Sequence, residues 1–359
     1  MCWHRVNCVG RRDVVVLERR PAPRLGTTYN DPVAVAELGL QAILAENHDP
    51  VSPAISNEPL ERYVPLDRGR TSRITIQPAA PGVLVPSHRG IDSLQYLLSL
   101  DGKPPSLIAK VLQPDQLRFV DVEASLDAQN TAASLGCAPY ALAYDLRRAV
   151  SVTAFLDGWL TARVSDLKDP EVLQAVIAVK RKIHDGPRFQ SSWSVFDRIR
   201  TLQMACASCS IETKQDLPAL LETVFRIERM IAAAGFDEVP AHADGLASNI
   251  MIGPGRRIQL VDFDEARNVD PYYELAILAN ETFEDEKDFF LALEIFEGRP
   301  RLESFRRIRL YAIADDLAWA IWALLMEAVS PRKELEFYRY AFWRLMRCRS
   351  ALQAIELKL

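Results

Sequence analysis

The hydrophobic pattern changes character near residues 155–158, and this change constrains the fold more than any other feature of the chain. Upstream of it, short apolar stretches alternate or occur in pairs, which predicts β-strands. Downstream, apolar residues recur every three or four positions over long stretches, which predicts helices. The predicted strands cover 72–77, the two halves of 93–112, 141–146 and 149–156, and the predicted long helices cover 169–186, 216–235, 303–330 and 334–357. The sequence therefore predicts an α+β fold, with a small lobe built on an antiparallel sheet and a larger, mainly helical lobe.

Turn and cap residues divide the first lobe. Asp101-Gly102 lies between two apolar runs and predicts a hairpin turn. A helix is expected from Asp115, which can cap its start, to Gly136, which can end it. From residue 93 on, the expected order in this lobe is strand, strand, helix, strand, strand.

Three regions follow from this layout. Residues 1–60 form an N-terminal extension of unknown role, with one helix expected at 31–47, where Asp31 is the cap and Pro32 lies in the first turn. Residues 61–155 form the first lobe and residues 156–359 form the second. A chain of 359 residues is long for a single core, which agrees with two lobes.

Composition and charge exclude several classes of protein. The formal net charge of −5 provides no basic surface for nucleic acid or for an anionic membrane. No apolar run approaches the roughly 20 residues of a membrane helix, and charges interrupt the N-terminal apolar stretches, unlike those of a signal peptide. We therefore expect a cytoplasmic protein, with neither nucleic acid nor a membrane as partner. The six cysteines show no disulfide framework, and Cys206 and Cys209 are expected to be two small helical residues rather than half of a metal site.

Two polar stretches of the second lobe point to chemistry. "HADGLASN" at 242–249 places a histidine, an aspartate and an asparagine in one loop, and "LVDFDEA" at 260–266 places an aspartate at the end of an apolar strand. Phosphoryl transfer needs a carboxylate that orients the attacking hydroxyl and oxygen ligands that hold Mg²⁺ on the phosphates. We assign Asp244 to the hydroxyl, Asn249 and Asp262 to the metal, and His242 to bracing the loop. Each residue alone is also typical of a turn or a cap, but the order of the set favours the catalytic interpretation.

The first lobe supplies the other parts of such a site. Lys110 ends the strand "LIAKVL" and would grip the phosphates of ATP, and Glu123 in the following helix would fix this lysine. A solvated lysine at the end of a strand is the alternative for Lys110. Asp121 and Asp127 compete with Glu123 for its role.

"HADGLASNIMI" followed by "IQLVDFDEA" resembles the catalytic loop and metal motif of kinases related to aminoglycoside phosphotransferases and choline kinases. The resemblance spans roughly residues 83–350. It implies a bilobal protein-kinase-like fold that uses ATP and Mg²⁺. It also implies a phosphate loop at "PSHRGIDSLQY", where Ser87, Gly90 and Ser93 would bind the nucleotide, and a connector "FLDG" whose Phe155 would lie beside it.

The C-terminal helices resemble the choline/ethanolamine kinase pattern in particular. Trp319 and Trp322 lie three residues apart on one helical face, Tyr340 follows on the next helix, and Glu281 lies in "YYELAILANETF". The resemblance implies that these residues line an amine pocket, and aromatic faces attract a quaternary ammonium by about 0.5–2 kcal/mol per contact. Core packing is the competing explanation for the aromatic residues. In the same segment Glu274 replaces the aspartate usual in the family, and we expect it to have a structural role.

The leading hypothesis is therefore an ATP- and Mg²⁺-dependent kinase that phosphorylates a hydroxyl of choline or a related amino alcohol. An aminoglycoside or another small alcohol is the first alternative acceptor, because "ETFEDEKD" at 281–288 offers many acids. A degenerate kinase fold that serves as a ligand-binding protein is the second, because the phosphate loop contains one glycine. A homodimer is left open as the assembly.

Overall fold

The computed structural model describes residues 3–6, 15–19, 74–79, 90–209 and 216–356. Within these ranges the chain forms two compact units. The first unit comprises the described residues of 1–81, 91–122 and 140–157, and the second comprises those of 82–90, 123–139 and 158–359.

One antiparallel sheet forms the first unit. Its strands are Trp3–Val6 (β1), Val15–Arg19 (β2), Ile74–Pro78 (β3), Ser93–Leu100 (β4), Pro105–Leu112 (β5), Ala141–Asp145 (β6) and Val150–Ala154 (β7). They lie in the order β1-β2-β6-β7-β5-β4-β3. Because side chains alternate between the two faces of a strand, Leu98, Ala109 and Val152 from adjacent strands meet in one core, where all three are fully buried.

The turn between β4 and β5 lies where the sequence predicts it. Asp101 has a φ of 53° and Gly102 a φ of 72°, and two consecutive positive φ values are typical of a type I′ hairpin turn. Lys110 lies on β5, opposite Gln95 of β4 and Ser151 of β7. The strand that carries this lysine is therefore paired on both sides.

Helices dominate the second unit. Their bounds are Val122–Ser134 (α1), Val164–Leu167 (α2), Pro170–His184 (α3), Val195–Ser208 (α4), Leu217–Ala234 (α5), Pro271–Thr282 (α6), Phe289–Glu297 (α7), Leu302–Val329 (α8) and Phe337–Glu356 (α9). The 28-residue helix α8 is buried along most of its length and packs against α4, α6 and α9. Such a helix is apolar on several faces because each face meets a different neighbour.

Short strands hold the two polar motifs side by side. Leu160–Thr161 (β8), Ile250–Ile252 (β10) and Ile258–Leu260 (β11) form one small antiparallel sheet, and Val239–Ala241 (β9) pairs with Arg267–Val269 (β12). The first motif therefore runs from the end of β9 to the start of β10, and the second runs from the end of β11 to the start of β12. Pairing at both ends brings the two loops together.

The predicted fold class is confirmed, and several elements differ from the expectation. The helix expected from Asp115 begins at Val122, because Pro114–Gln116 forms a separate 3-10 turn, and it ends just before Gly136, as expected. Helices α2, α6 and α7 were not predicted, and the helix expected at Cys206 and Cys209 is the last part of α4, which ends at Ser208. In the expected N-terminal extension, β1 and β2 add two strands to the sheet beside β6.

The helix expected at 31–47 and the predicted nucleotide contact Ser87 lie outside the described residues. No helix in the described part of the chain combines the length and the apolar character that crossing a membrane requires.

Candidate active site

The loop after β9 is organised by the side chain of Asp244. Its Oδ1 accepts a hydrogen bond from the backbone N–H of Leu246 at 2.8 Å, and its Oδ2 accepts one from Nδ2 of Asn249 at 2.8 Å. The preceding residue, Ala243, has a φ of 56°, a left-handed conformation that is uncommon outside glycine. The half-buried carboxylate of Asp244 is thus held in one orientation by its own loop.

The loop after β11 meets the first one at Asn249. Val261 donates its N–H to the carbonyl oxygen of Asn249 at 3.0 Å. The next residue, Asp262, has a φ of 66°, and backbone strain of this kind persists only where the surroundings hold it. Asp262 also lies close enough to Asp244 to raise the pKa of that residue. The structure therefore brings together the three residues that the sequence assigns to hydroxyl and metal.

His242 joins the two loops through both of its ring nitrogens. Nδ1 lies 3.2 Å from the carbonyl oxygen of Asp244, and Nε2 lies 3.0 Å from that of Val261. Both partners are acceptors, so each bond needs a proton on the ring nitrogen that makes it. The ring is almost fully buried and contacts Phe263 edge-on, with the two ring centroids 4.7 Å apart.

The environment of Asp244 disfavours its charged form. Burial raises the pKa of Asp244, the nearby carboxylates of Asp262 and Glu265 add to this effect, and His242 and the N–H of Leu246 oppose it. Carboxylates whose ionisation is disfavoured in this way are frequent where a protein uses them for proton transfer.

The donor set fits Mg²⁺, although it is small. Across the described residues, no group of three or more His, Cys, Asp or Glu side chains is arranged to hold a metal ion. A kinase-type site needs fewer protein ligands, because phosphate oxygens of the nucleotide complete the coordination. Asn249 and Asp262 would supply an amide oxygen and a carboxylate. The amide nitrogen of Asn249 already binds Asp244, which leaves its oxygen for a cation.

A buried ionic cluster that the sequence analysis missed contacts the loop after β9 and supports it. Glu274 on α6 is 1% exposed and accepts hydrogen bonds from Nζ of Lys180 at 2.9 Å, Nε2 of His184 at 2.5 Å and the N–H of Ala243 at 3.0 Å. Nζ of Lys180 also donates to the carbonyl oxygen of Asp244 at 3.1 Å. Burial alone would raise the pKa of Glu274, but Lys180 and His184 hold that pKa far below its usual range. The expected structural role of Glu274 agrees with this position.

Gly245 lies where the loop passes closest to α6. A Cβ at this position would lie 2.5 Å from the carbonyl oxygen of Ile277, which is backbone and cannot move aside cheaply. We expect Gly245→Ala to destabilise the protein by about 1–3 kcal/mol, as overpacking of a core does, and to lower the turnover number because Asp244 is adjacent. Chemical denaturation and steady-state kinetics would measure the two effects.

Gly298 provides the control for this substitution. It has a φ of 76° at the end of α7, and a Cβ there would contact nothing within 4 Å. Gly298→Ala should cost about 1–2 kcal/mol through its backbone alone and leave turnover unchanged. Equal turnover in the two variants would show that the Gly245 contact does not position the loop.

The residues predicted for the nucleotide are distributed over both units. Lys110, Ser93 and Phe155 belong to the first unit, where Ser93 is buried at the start of β4 and the N–H of Phe155 donates to the carbonyl oxygen of Ser106 at 2.9 Å. Gly90 has a φ of 64°, and Glu123 lies exposed in the first turn of α1, in the second unit. The pairing of Lys110 with Glu123 stays a prediction.

The aromatic residues predicted for the substrate lie together on α8 and α9. Trp322 contacts Trp319, Phe337 and Tyr340 edge-on, with ring centroids 5.3, 5.6 and 6.3 Å from its own. Trp322 and Tyr340 are 3% and 6% exposed, whereas Trp319 is partly exposed. In this conformation Trp322 and Tyr340 act as core residues, and a binding role for the group stays a prediction.

The predicted acidic residue Glu281 lies against the loop after β9. Its Oε1 accepts a hydrogen bond from the N–H of Ala247 at 3.3 Å, three residues after Asp244. Glu281 therefore places a carboxylate beside the loop that carries the predicted base.

A second cluster, also missed, connects the metal motif to the aromatic residues. Oε2 of Glu265 accepts hydrogen bonds from Arg198 at 2.5 Å and from Arg267. Each arginine stacks on a tryptophan: the guanidinium carbon of Arg198 lies 4.1 Å from the ring centroid of Trp319, and that of Arg267 lies 4.4 Å from the ring centroid of Trp193. The arginines outweigh the effect of burial and lower the pKa of Glu265.

Comparison with solved structures identifies the fold. A choline/ethanolamine kinase family protein from Mesorhizobium loti is 21% identical over 73% of this chain and 86% of its own, with a TM-score of 0.63. The choline kinase LicA from Streptococcus pneumoniae is 18% identical over 72% of this chain and 89% of its own, with a TM-score of 0.63. Aminoglycoside 2'-phosphotransferase-IIIa is 11% identical over 78% of this chain and 92% of its own, with a TM-score of 0.55.

Comparison at the level of sequence places the chain in a family. No curated protein sequence matches it significantly. The model of the phosphotransferase enzyme family, APH, matches residues 84–311, which include both polar motifs and more than half of the chain. The chain belongs to this phosphotransferase enzyme family.

Proposed function

We propose that this protein is an ATP- and Mg²⁺-dependent kinase that phosphorylates a hydroxyl of a small molecule. The observation that carries the proposal is the convergence of two loops at Asp244, Asn249 and Asp262, with His242 bonded to both. The family assignment supports phosphoryl transfer. Among the similar folds, LicA has been solved with AMP and aminoglycoside 2'-phosphotransferase-IIIa with GDP, which supports a nucleotide as the donor.

The side chains of the two loops have distinct roles in this proposal. Asp244 orients the acceptor hydroxyl and accepts its proton, and the raised pKa of its carboxyl suits proton transfer. Asn249 and Asp262 would hold Mg²⁺, which, when bound, neutralises charge on the phosphates. Lys180 and Glu274 form hydrogen bonds with the backbone of the loop, so that Asp244 is in place before the substrate binds.

The acceptor that we propose is an amino alcohol, choline or a related compound. Its support is the carboxylate of Glu281 beside the catalytic loop and the resemblance of Trp319, Trp322 and Tyr340 to the choline/ethanolamine kinase pattern. A positively charged amine next to the hydroxyl would be attracted by aromatic faces and by a carboxylate.

The acidic run at 281–288 supports the aminoglycoside alternative less than its sequence suggests. Three of its acids are engaged in ion pairs: Glu284 with Lys168, Asp285 with Lys287, and Glu286 with Arg309. These three acids are therefore already paired with cations of the chain.

Asp262→Asn tests the metal and nucleotide assignment. The amide keeps the shape of the side chain and removes the charge that binds the cation. We expect ATP with Mg²⁺ to raise the melting temperature of the unaltered protein by several degrees, as a ligand at about 100 times its Kd would. The variant should lose this increase. Differential scanning calorimetry with ATP alone, Mg²⁺ alone and both would measure it.

Asp264→Asn is the matched control, two residues away. Asp264 accepts a hydrogen bond from Oγ of Ser125 at 3.1 Å, and an asparagine oxygen can accept the same bond. This variant should respond to ATP with Mg²⁺ as the unaltered protein does. A full response of Asp262→Asn would reassign the metal site, and no response of the unaltered protein would favour the ligand-binding alternative.

A further inference from the structure

A cation of the chain itself covers Trp319, the most exposed of the three aromatic residues assigned to amine binding. The guanidinium carbon of Arg198 lies 4.1 Å from the centroid of the Trp319 ring. A cation within about 6 Å of the centroid, over the face of the ring, is in the position of strongest attraction. A quaternary ammonium that used this face would need the same position.

Arg198 is held in this position. It lies on α4, is 6% exposed, and donates to Glu265 at 2.5 Å. Tyr273 and Asp315 also lie close enough to act on its charge. A buried guanidinium with such partners is retained more firmly than an exposed one, because its departure would remove one of the two arginines that pair with Glu265.

The other two aromatic residues offer no substitute in this conformation. Trp322 is enclosed by Trp319, Phe337 and Tyr340, and Tyr340 accepts a hydrogen bond from Nε of Arg344 at 3.1 Å. Both Trp322 and Tyr340 are buried. An ammonium must therefore displace Arg198 or bind elsewhere.

We propose that Arg198 determines acceptor specificity, by occupying the cation position over Trp319 and so selecting against acceptors that carry a quaternary ammonium. The inference rests on the proposed function and narrows it within the amino alcohols. An amine with N–H groups can donate hydrogen bonds to a carboxylate such as Glu281, beside the catalytic loop. A quaternary nitrogen has no N–H to donate and depends on aromatic faces.

Binding of tetramethylammonium chloride tests directly whether Arg198 occupies the cation position over Trp319. It is measured without nucleotide, by calorimetry and tryptophan fluorescence. Arg198→Met keeps an unbranched side chain but removes the guanidinium group and its charge. We expect the unaltered protein to bind tetramethylammonium weakly and Arg198→Met to bind it about tenfold more tightly. Arg198→Gln serves as a second variant if the first does not fold.

Arg200→Met is the matched control. Arg200 lies on the same helix, pairs with Glu228 and stacks on Phe225 at 4.8 Å, but its side chain is 44% exposed. This variant should bind tetramethylammonium as weakly as the unaltered protein. A comparable gain in Arg200→Met would point to a general change in charge rather than to the Trp319 face.

Turnover provides the second readout, with choline, ethanolamine and 3,3-dimethylbutan-1-ol as acceptors. The last compound has the shape of choline without its charge. We expect Arg198→Met to increase kcat/KM for choline relative to the uncharged compound by on the order of tenfold. Turnover of none of the three would count against the proposed function, while the binding experiment would still decide the role of Arg198.

Two results would overturn the proposal. One is tetramethylammonium binding to the unaltered protein as tight as binding to Arg198→Met. The other is a folded Arg198 variant with neither tighter binding nor a changed acceptor ratio.

Discussion

Asp244→Asn is expected to lower the turnover number by about 10²–10⁴-fold while making the protein slightly more stable at neutral pH. The loss of activity follows from the role that we propose for Asp244, which is to accept the proton of the hydroxyl. The gain in stability follows from the raised pKa of Asp244 in the folded protein, against a reference of 3.8. A carboxyl with a raised pKa opposes folding when it is ionised, and asparagine does not ionise.

The contribution of Asp244 to the stability of the folded protein depends on pH. Below the unfolded pKa, Asp244 is protonated in both states and contributes nothing, and its unfavourable contribution grows as pH rises through the folded pKa. The stability gain of Asp244→Asn should therefore be absent near pH 3 and present at pH 7, as measured by urea denaturation across this range. A large loss of stability at pH 7 would instead show that Asp244 is chiefly a structural residue.

Glu274→Gln is expected to destabilise the protein by about 3–5 kcal/mol at pH 7. The glutamine preserves the size of the side chain but leaves Lys180 buried without its counter-charge, and an uncompensated buried charge is expensive. The lowered pKa of Glu274 determines how the destabilisation depends on pH. The favourable contribution of ionised Glu274 to stability is present above the unfolded pKa of 4.5 and is lost as pH falls below that value. The deficit of the variant should therefore shrink in acid.

An exposed ion pair and a double variant distinguish the effect of burial on stability from the effect of charge. Glu238 pairs with Arg188 at 2.8 Å, but the two side chains are 37% and 59% exposed, so Glu238→Gln should cost at most about 1 kcal/mol. Lys180→Met combined with Glu274→Gln should cost less than the sum of the single substitutions. Strict additivity would mean that the two residues act independently of each other.

The part of the site that the sequence predicts is the part built from short-range patterns. Asp244 and Asn249 lie five residues apart in one loop, and Asp262 ends a recognisable strand. Their assignment to one site rests on the oxygen ligands that phosphoryl transfer needs and on the resemblance to the kinase motifs. The hairpin turn at Asp101-Gly102 is predictable for a similar reason, because few residues adopt two consecutive positive φ values.

The supporting residues were missed because they belong to helices far from the loops in the chain. Lys180 lies on the apolar face of α3 with Val176 and Ile183, and Arg198 lies on that of α4 with Ile199. A charged residue on an apolar face is a signal of a buried partner. The sequence shows that signal, but it does not show which acid on another helix is the partner, since that depends on how the helices pack.

The position of His242 has a consequence for how the two loops can vary. One imidazole contacts the carbonyl oxygens of Asp244 and Val261, so a tilt of that ring disturbs both loops in the same movement. Asp244 and Asp262, which we propose for the hydroxyl and the cation, therefore cannot shift independently of each other. The imidazole ring of His242 sets the distance between these two carbonyl oxygens. A substitution that shifts one loop is therefore expected to shift the other loop as well.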